Sequence, residues 1–117
     1  MKISIQSQSF PLTTALEQRI HDRIVSATRR FSRFVTAVDV YLEDMNGPKG
    51  GEDMSVRILA TMLDRQSVVV DATHVDMYKA IDRAGSRVRR AIKRNLQKGR
   101  RIDRAQLRLL RRNGSFA

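Results

Sequence analysis

The segment from Asp76 to Lys98 constrains the fold of this chain most strongly, because it reads as one long helix with two chemically different sides. At 100° per residue, an apolar stripe gathers around Ile81. This stripe consists of Tyr78, Gly85, Val88, Ile92 and Leu96. The opposite side carries four arginines, namely Arg83, Arg87, Arg90 and Arg94. Arg89 and Lys93 lie on one flank. One side of the helix therefore requires a hydrophobic core, and the other is suited to a polyanion.

The net charge is concentrated in the last third of the chain. The 117 residues carry a formal net charge of +11. Residues 1–75 hold nine basic and nine acidic residues, whereas residues 76–117 hold fourteen basic and three acidic residues. A solvated helix face would explain a charged stripe, but such faces usually mix both signs. The asymmetry favours a surface that binds a polyanion, and arginine, which outnumbers lysine eleven to three after residue 75, suits bidentate contacts with phosphates.

Composition excludes several classes of protein. A chain of 117 residues suits one domain, and 41% hydrophobic with 30% charged residues is typical of a folded chain. The absence of cysteine excludes disulfides and thiolate metal sites and fits a reducing cytosol. The N-terminus lacks the apolar run of a signal peptide, and no segment approaches the ~18 apolar residues of a membrane span. We therefore expect a cytoplasmic protein without a membrane partner.

The rest of the chain alternates between strand and helix patterns. Period-two alternation predicts four strands, at residues 2–8, 37–44, 54–63 and 67–73. A helix capped by Thr13 or Thr14 runs to about Arg33, and the residues from Thr14 to Glu17 fit a capping box. Its apolar face recurs at steps of four and three: Leu16, Ile20, Ile24, Ala27, Phe31 and Phe34. The segment Met45–Gly51 is the strongest turn cluster.

This order, β-α-β-β-β-α, predicts the fold class. Short turns join the last three strands into an antiparallel meander, and the helix between the first two strands makes them parallel. We expect an α+β two-layer sandwich, with a four-stranded mixed sheet and two helices on one face, like a double-stranded-RNA-binding domain. The open sheet face carries Asp39, Glu43 and Asp71, so it should be neutral to acidic. Nucleic acid would then lie across the helices, where few aromatic residues are available for stacking on bases.

The predicted domain spans residues 1–98, and residues 99–117 form a basic C-terminal tail. The tail could extend the helix, form a second short helix, or remain flexible, and the behaviour of chain termini favours the last.

No catalytic site is predicted, since Ser67 and Ser86 lack a base at a recognisable spacing. His21 and His74 lack further ligands at metal spacing, so we expect neither a metal nor a cofactor nor a small-molecule substrate.

Two local motifs carry a resemblance to a known family. One is Leu12-Thr-Thr-Ala-Leu16 at the start of the first helix, and the other is Asp76-Met-Tyr-Lys-Ala-Ile-Asp82 at the start of the second. With the strand order and the outer basic residues, these resemble the family of ribosome hibernation promoting factors and ribosome-associated inhibitor A, also called sigma-54 modulation proteins. The resemblance covers about residues 1–98. It implies a factor that binds ribosomal RNA in the decoding channel of the small subunit, blocks translation and preserves idle ribosomes under stress.

The resemblance also assigns positions. It places the family's basic positions on Arg23 of the first helix and on Arg87, Arg90, Lys93 and Arg94 of the second. Together with the charge pattern, the full predicted set of RNA-binding residues is Arg19, Arg23, Arg30, Arg83, Arg87, Arg90, Lys93, Arg94, Lys98, Arg100 and Arg101. Arg83 and Gly85 stand where the family tends to be apolar, which implies looser packing there. Because the sequence ends at Ala117, before the C-terminal dimerisation domain of the family's long forms, the resemblance implies a short, one-domain form. We expect this form to be a monomer.

Two alternatives follow from the same basic helices. The first is a general binder of double-stranded RNA or DNA, which would contact the backbone without a preferred target. The second is a regulator that docks an acidic protein partner, such as a sigma factor. Co-sedimentation with small ribosomal subunits distinguishes the ribosome-binding hypothesis from both, and competition with generic duplex RNA distinguishes it from the first.

Overall fold

The computed structural model describes the backbone of residues 1–45 and 54–112 and the side chains of residues 1–45 and 54–98. Its elements follow the predicted order. We number them β1 Lys2–Ser7, α1 Thr14–Thr28, β2 Val35–Asp44, β3 Met54–Met62, β4 Ser67–His74 and α2 Met77–Arg112. A short 3-10 helix, Arg29–Phe34, joins α1 to β2. Of the turn cluster predicted at 45–51, only Met45 lies within the described residues.

The four strands form one mixed sheet in the order β1-β2-β3-β4. β1 pairs parallel with β2, and β2, β3 and β4 form an antiparallel meander, as the connection lengths predict. The register aligns an apolar row across all four strands, in which Ile5 faces Val40, Val40 faces Ile58 and Ile58 faces Val70. Because side chains alternate along a strand, the same face of the sheet carries this row and its neighbours two residues away.

Both helices cover that apolar face, which confirms the two-layer α+β sandwich. α2 packs on β3 and β4, and α1 packs beside α2. The core lies between the layers and includes aliphatic side chains with less than 2% exposure: Ile20, Ile24, Val38, Val40, Leu42, Val56, Ile58, Ile81, Val88 and Ile92. The steps of three and four on the helices and of two on the strands therefore identify these ten buried residues correctly.

α1 begins one residue later than its cap, which is Thr13. The Thr13 backbone is extended (φ −79°, ψ 156°), and its hydroxyl oxygen accepts a hydrogen bond from the Leu16 N–H at 3.2 Å. The predicted capping box starting at Thr14 is wrong. A capping box needs Glu or Gln three residues after the cap, and Leu16 occupies that position. Glu17 instead donates its backbone N–H to the Thr13 carbonyl at 2.9 Å, as an ordinary helical hydrogen bond.

The α-helical part of the first helix ends at Thr28, so the predicted end at Arg33 is wrong. Thr28 is fully buried, and its hydroxyl donates to the Ile24 carbonyl at 2.7 Å. The chain then tightens into the 3-10 helix, in which residues three apart are eclipsed. This places Phe31 and Phe34 against the edge of the core, where both are half-buried.

α2 is longer than the predicted segment. Its first turn is capped by Asp76, whose carboxylate accepts the Tyr78 N–H at 2.9 Å. The backbone continues as a helix without a break to Arg112, which corresponds to helix extension among the three conformations considered for the tail. With 36 residues, α2 is about 54 Å long. Tyr78 is 41% exposed, so its predicted place in the apolar stripe is wrong. Met77, which is 7% exposed, takes the core position at this end of the helix.

Candidate nucleic-acid interface

An ionic network crosses the contact between α1 and α2. Arg19 Nη2 donates to Asp82 Oδ2 at 2.8 Å, and Arg23 Nε lies 3.6 Å from Asp82 Oδ1. Arg23 Nη2 also donates to the Asp82 carbonyl at 3.2 Å and to Ser86 Oγ at 2.9 Å. The Arg19 guanidinium lies 6.0 Å from the centre of the Tyr78 ring, within reach of a cation–π contact. This network holds two predicted RNA-binding arginines of α1 against the first turns of α2.

Gly85 of α2 is buried beneath the Arg23 side chain. A Cβ atom built on Gly85 would lie 2.8 Å from Arg23 Cζ and 3.0 Å from Arg23 Cγ and Nε. The arginine therefore occupies the space that a side chain at position 85 would take. The expectation of looser packing at Gly85 is wrong, because a residue from the neighbouring helix fills the volume that glycine leaves.

Next to this network, α1 and the 3-10 helix on one side and α2 on the other line a groove of about 400 Å³, which we call the interhelical groove. Four arginines and one lysine dominate its lining, which comprises Arg23, Arg30, Phe31, Ser86, Arg89, Arg90 and Lys93. Among the described residues, none that lines the groove is acidic. Five positive charges around one concave surface produce a positive potential that attracts anions. The groove is thus suited to a phosphate-rich ligand.

Two other predicted RNA-binding residues lie on the opposite side of α2, next to the free edge of β4. Arg83 Nη1 donates to the Thr73 carbonyl at 2.7 Å, and Arg87 Nη1 donates to the Asp71 carbonyl at 2.5 Å. Both side chains are exposed. The structure therefore separates Arg83 and Arg87 from the interhelical groove and gives them contacts with a strand that has no neighbour on this side within the described sheet.

The remaining predicted residues follow one another along α2. Arg94 and Lys98 are exposed, and the backbone of Arg100 and Arg101 continues the helix beyond the residues whose side chains are described. The structure thus brings together Arg23, Arg30, Arg90 and Lys93 in the groove and places Arg19 in the ionic network with Asp82. Arg83, Arg87, Arg94 and Lys98 are not among the residues that line the groove.

Arg89 is a groove residue that the predicted set omits. The helical repeat places it on the same flank as Lys93, so the signal is present in the sequence. What the sequence does not show is that α1 lies along this flank. Phe31 likewise lines the groove, although its spacing indicates only a core position.

The open face of the sheet differs in charge from the helical layer. Glu43 and Asp71 are exposed there, and Asp39 is half-buried. Arg57 Nε donates to Asp71 Oδ1 at 2.7 Å, and this hydrogen bond, with the charge of Asp71, raises the pKa of Arg57 above its ordinary value. A broader hollow of about 570 Å³ on this face is lined by both acidic and basic residues and by the half-buried Tyr41. This mixture of charges suits a polyanion less well than the interhelical groove does.

Other kinds of site are not found among the described residues. Within residues 1–45 and 54–98, no group of three or more histidine, cysteine or acidic side chains is arranged to hold a metal ion. His74 Nδ1 accepts the Asp76 backbone N–H at 3.0 Å, which gives this histidine a role at the start of α2. Neither helix within the described part of the chain has an apolar stretch long enough to cross a bilayer.

The sandwich and its groove define a small α+β domain whose two helices present a cationic surface. The family model described as sigma 54 modulation protein / S30EA ribosomal protein matches residues 3–100. The chain therefore belongs to this family of ribosome-associated factors, and the family membership predicted from the two helix-start motifs is confirmed. No curated protein sequence matches the chain.

Two solved structures show the same fold. The N-terminal domain of Protein Y from Thermus thermophilus has a TM-score of 0.66 and 23% identity, over 80% of this chain and 98% of that domain. A ribosomal subunit interface protein from Coxiella burnetii also has a TM-score of 0.66, with 16% identity, over 82% of this chain and 99% of that protein. At these identities the comparison supports the fold and not the roles of individual side chains.

Proposed function

We propose that this protein binds the small ribosomal subunit and contacts ribosomal RNA in the decoding channel with the interhelical groove and the outer side of α2. In this position it blocks translation and preserves idle ribosomes under stress. The observation that carries the proposal is the groove itself, in which five basic side chains surround a volume of about 400 Å³ in a member of a ribosome-associated family. One of the two similar structures is named a ribosomal subunit interface protein, and this name agrees with binding at the ribosome.

The chemistry of the groove favours RNA backbone as the ligand. Arginine and lysine replace the counterions condensed along phosphates, which drives binding at low salt. Among the described residues that line the groove, Phe31 is the one aromatic residue, and its ring is half-buried against the core, so these residues offer no stacking on several bases. A preformed RNA surface can be recognised through its shape and its phosphates, without reading a sequence.

Two groove residues offer the clearest test. Arg90 and Lys93 are exposed on α2, and neither forms an ion pair among the described side chains. We expect Arg90→Glu with Lys93→Glu to abolish co-sedimentation with purified small subunits at low salt while the circular dichroism spectrum stays that of the wild type. Arg87 is left out of this variant because it also contacts the edge of β4, so its loss would affect both the fold and the surface.

A matched control carries the same change in net charge outside the groove. Lys2→Glu with Arg65→Glu alters two exposed residues that do not line it, and this variant should still co-sediment. If both double variants bind equally, or if the wild type remains in the top fractions at low salt, the proposal is wrong. Equal competition by generic duplex RNA would favour the general nucleic-acid binder. Retention by an acidic protein without subunit binding would favour the regulator.

A further inference from the structure

The close approach of Arg23 to Gly85 explains an otherwise unfavourable residue inside α2. Glycine is the worst helix former after proline, because it loses the most conformational freedom when the helix forms. Gly85 lies eight residues after the first residue of α2, Met77, and far from its last described residue. Its backbone is not left-handed, so neither a cap nor a turn requires it. What its position does require is space, since a Cβ there would lie 2.8 Å from Arg23 Cζ.

We propose that Gly85 is a positioning residue for RNA binding, because its missing Cβ allows Arg23 to lie across α2 and present its guanidinium to a phosphate in the interhelical groove. The inference rests on the proposed function and extends it by assigning a role to a residue that touches no ligand. Arg23 lines the groove, and its side chain remains 24% exposed. Its Nη2 is held by Ser86 and by the Asp82 carbonyl. Among the described hydrogen bonds, none uses its Nη1.

Restraining the Arg23 guanidinium before RNA binds favours the binding of a phosphate. An arginine that is already ordered loses less side-chain entropy when it contacts a phosphate than a freely rotating one does. An alanine at position 85 would displace the Arg23 side chain from Cγ to Cζ, and the contacts with Ser86 and Asp82 would be lost with it. The displaced atoms belong to a flexible side chain at the protein surface, so the fold should tolerate the change.

The position of the arginine can be tested without the ribosome. In the wild type, we expect the Arg23 Nε–H resonance to be resolved by NMR at neutral pH and to exchange slowly with water, because Asp82 and Ser86 restrain the group. The resonance is assigned by its absence in Arg23→Lys. In Gly85→Ala it should move toward the random-coil position and exchange faster. An unchanged Arg23 resonance in Gly85→Ala would overturn the inference.

The effect on binding is tested by a double-mutant cycle with purified small subunits. We expect Gly85→Ala to weaken binding about fivefold and Arg23→Ala about tenfold, the loss typical of one charge-assisted contact. In the Arg23→Ala background, Gly85→Ala should change affinity less than about twofold, since coupled residues are not additive. In either single variant, the slope of the logarithm of the association constant against the logarithm of salt concentration should become less steep by the amount expected for about one phosphate contact.

The outcomes separate this inference from the proposed function. Failure of the wild type to bind small subunits would contradict the proposed function, while the NMR measurement would still decide whether Gly85 positions Arg23. Normal wild-type binding together with additive effects of the two substitutions would contradict the role of Gly85 and leave the proposed function intact. A purely structural role for Gly85 would change thermal stability without changing the salt dependence.

Discussion

Arg87 Nη1 donates a hydrogen bond to the main-chain carbonyl of Asp71 at 2.5 Å, so a residue of the basic surface also covers the free edge of the sheet. Arg83, one helical turn earlier, makes the same contact with Thr73, two residues further along β4. The i, i+4 spacing on the helix thus matches the i, i+2 spacing of outward carbonyls on the strand. Exposed strand edges can pair with other chains, and charged side chains are a common means of preventing this.

This contact predicts a structural effect of removing the two arginines. We expect Arg83→Ala with Arg87→Ala to lower the free energy of unfolding by about 1 kcal/mol, because two exposed but charge-assisted hydrogen bonds are lost. Urea denaturation measures the change. The double variant should also associate at lower concentration than the wild type in analytical ultracentrifugation, since the edge of β4 is uncovered.

Arg94→Ala is the control for that variant. Arg94 lies on the same helix and is exposed, and no hydrogen bond or ion pair joins it to another described side chain. Its removal should change the free energy of unfolding by less than about 0.5 kcal/mol. Equal stability of all three proteins would mean that the contacts with Asp71 and Thr73 contribute nothing in solution.

The cap of α1 gives a second prediction. Thr13→Ala should lower the free energy of unfolding by about 1 kcal/mol, because the Leu16 N–H loses its partner. Thr14→Ala should have little effect, since Thr14 is the first helical residue and its exposed side chain is not the cap. The two variants differ by one position and are compared in the same urea titration. A larger effect at Thr14 would contradict the observed start of the helix.

A third prediction concerns the buried end of α1. Thr28→Val keeps the shape of the side chain but removes the hydroxyl that donates to the Ile24 carbonyl. We expect the free energy of unfolding to fall by about 1 kcal/mol. The same substitution at Thr36, whose hydroxyl donates to the Thr61 carbonyl at the surface, should cost less, because water can replace that bond. Thermal melts followed by circular dichroism compare the two, and the prediction fails if Thr36→Val is the more damaging.

The groove predicts how binding depends on salt. If its five basic side chains each neutralise one phosphate, the logarithm of the association constant should fall with the logarithm of salt concentration with a slope of about −4. Arg90→Ala with Lys93→Ala should reduce the steepness by about 1.5 to 2, in proportion to the contacts removed. Fluorescence anisotropy with labelled protein and purified small subunits measures both slopes. A wild-type slope near zero would exclude a phosphate-binding groove.

Much of the fold could be predicted because its signals are local. Alternation in β2 and steps of three and four in α2 each specify which side of one element is apolar, and buried residues such as Val40 and Ile92 follow from that. The strand order also follows, because short connections produce antiparallel neighbours while a helix allows a parallel pair. Family membership followed from two motifs at helix starts.

The candidate site could be predicted only in part, because it depends on how the elements approach each other. The helical repeat of α2 shows that Arg87 and Arg89 both lie outside the core. Only the packing of the elements shows that Arg87 faces β4 and that Arg89 faces α1. The role of Gly85 could not be read from the sequence either, since the residue that fills its space lies 62 positions away at Arg23. The change from α-helix to 3-10 helix after Thr28 was not predicted either, because periodicity shows which residues are apolar and not where the backbone hydrogen-bond pattern changes.

The most direct measurement is a cryo-electron microscopy map of the protein bound to purified small ribosomal subunits. We predict density for one copy in the decoding channel, with the interhelical groove and the outer side of α2 against ribosomal RNA and the open sheet face, which carries Glu43 and Asp71, turned away from it. Density elsewhere on the subunit, or density that places the sheet face against the RNA, would contradict the proposed binding position and orientation.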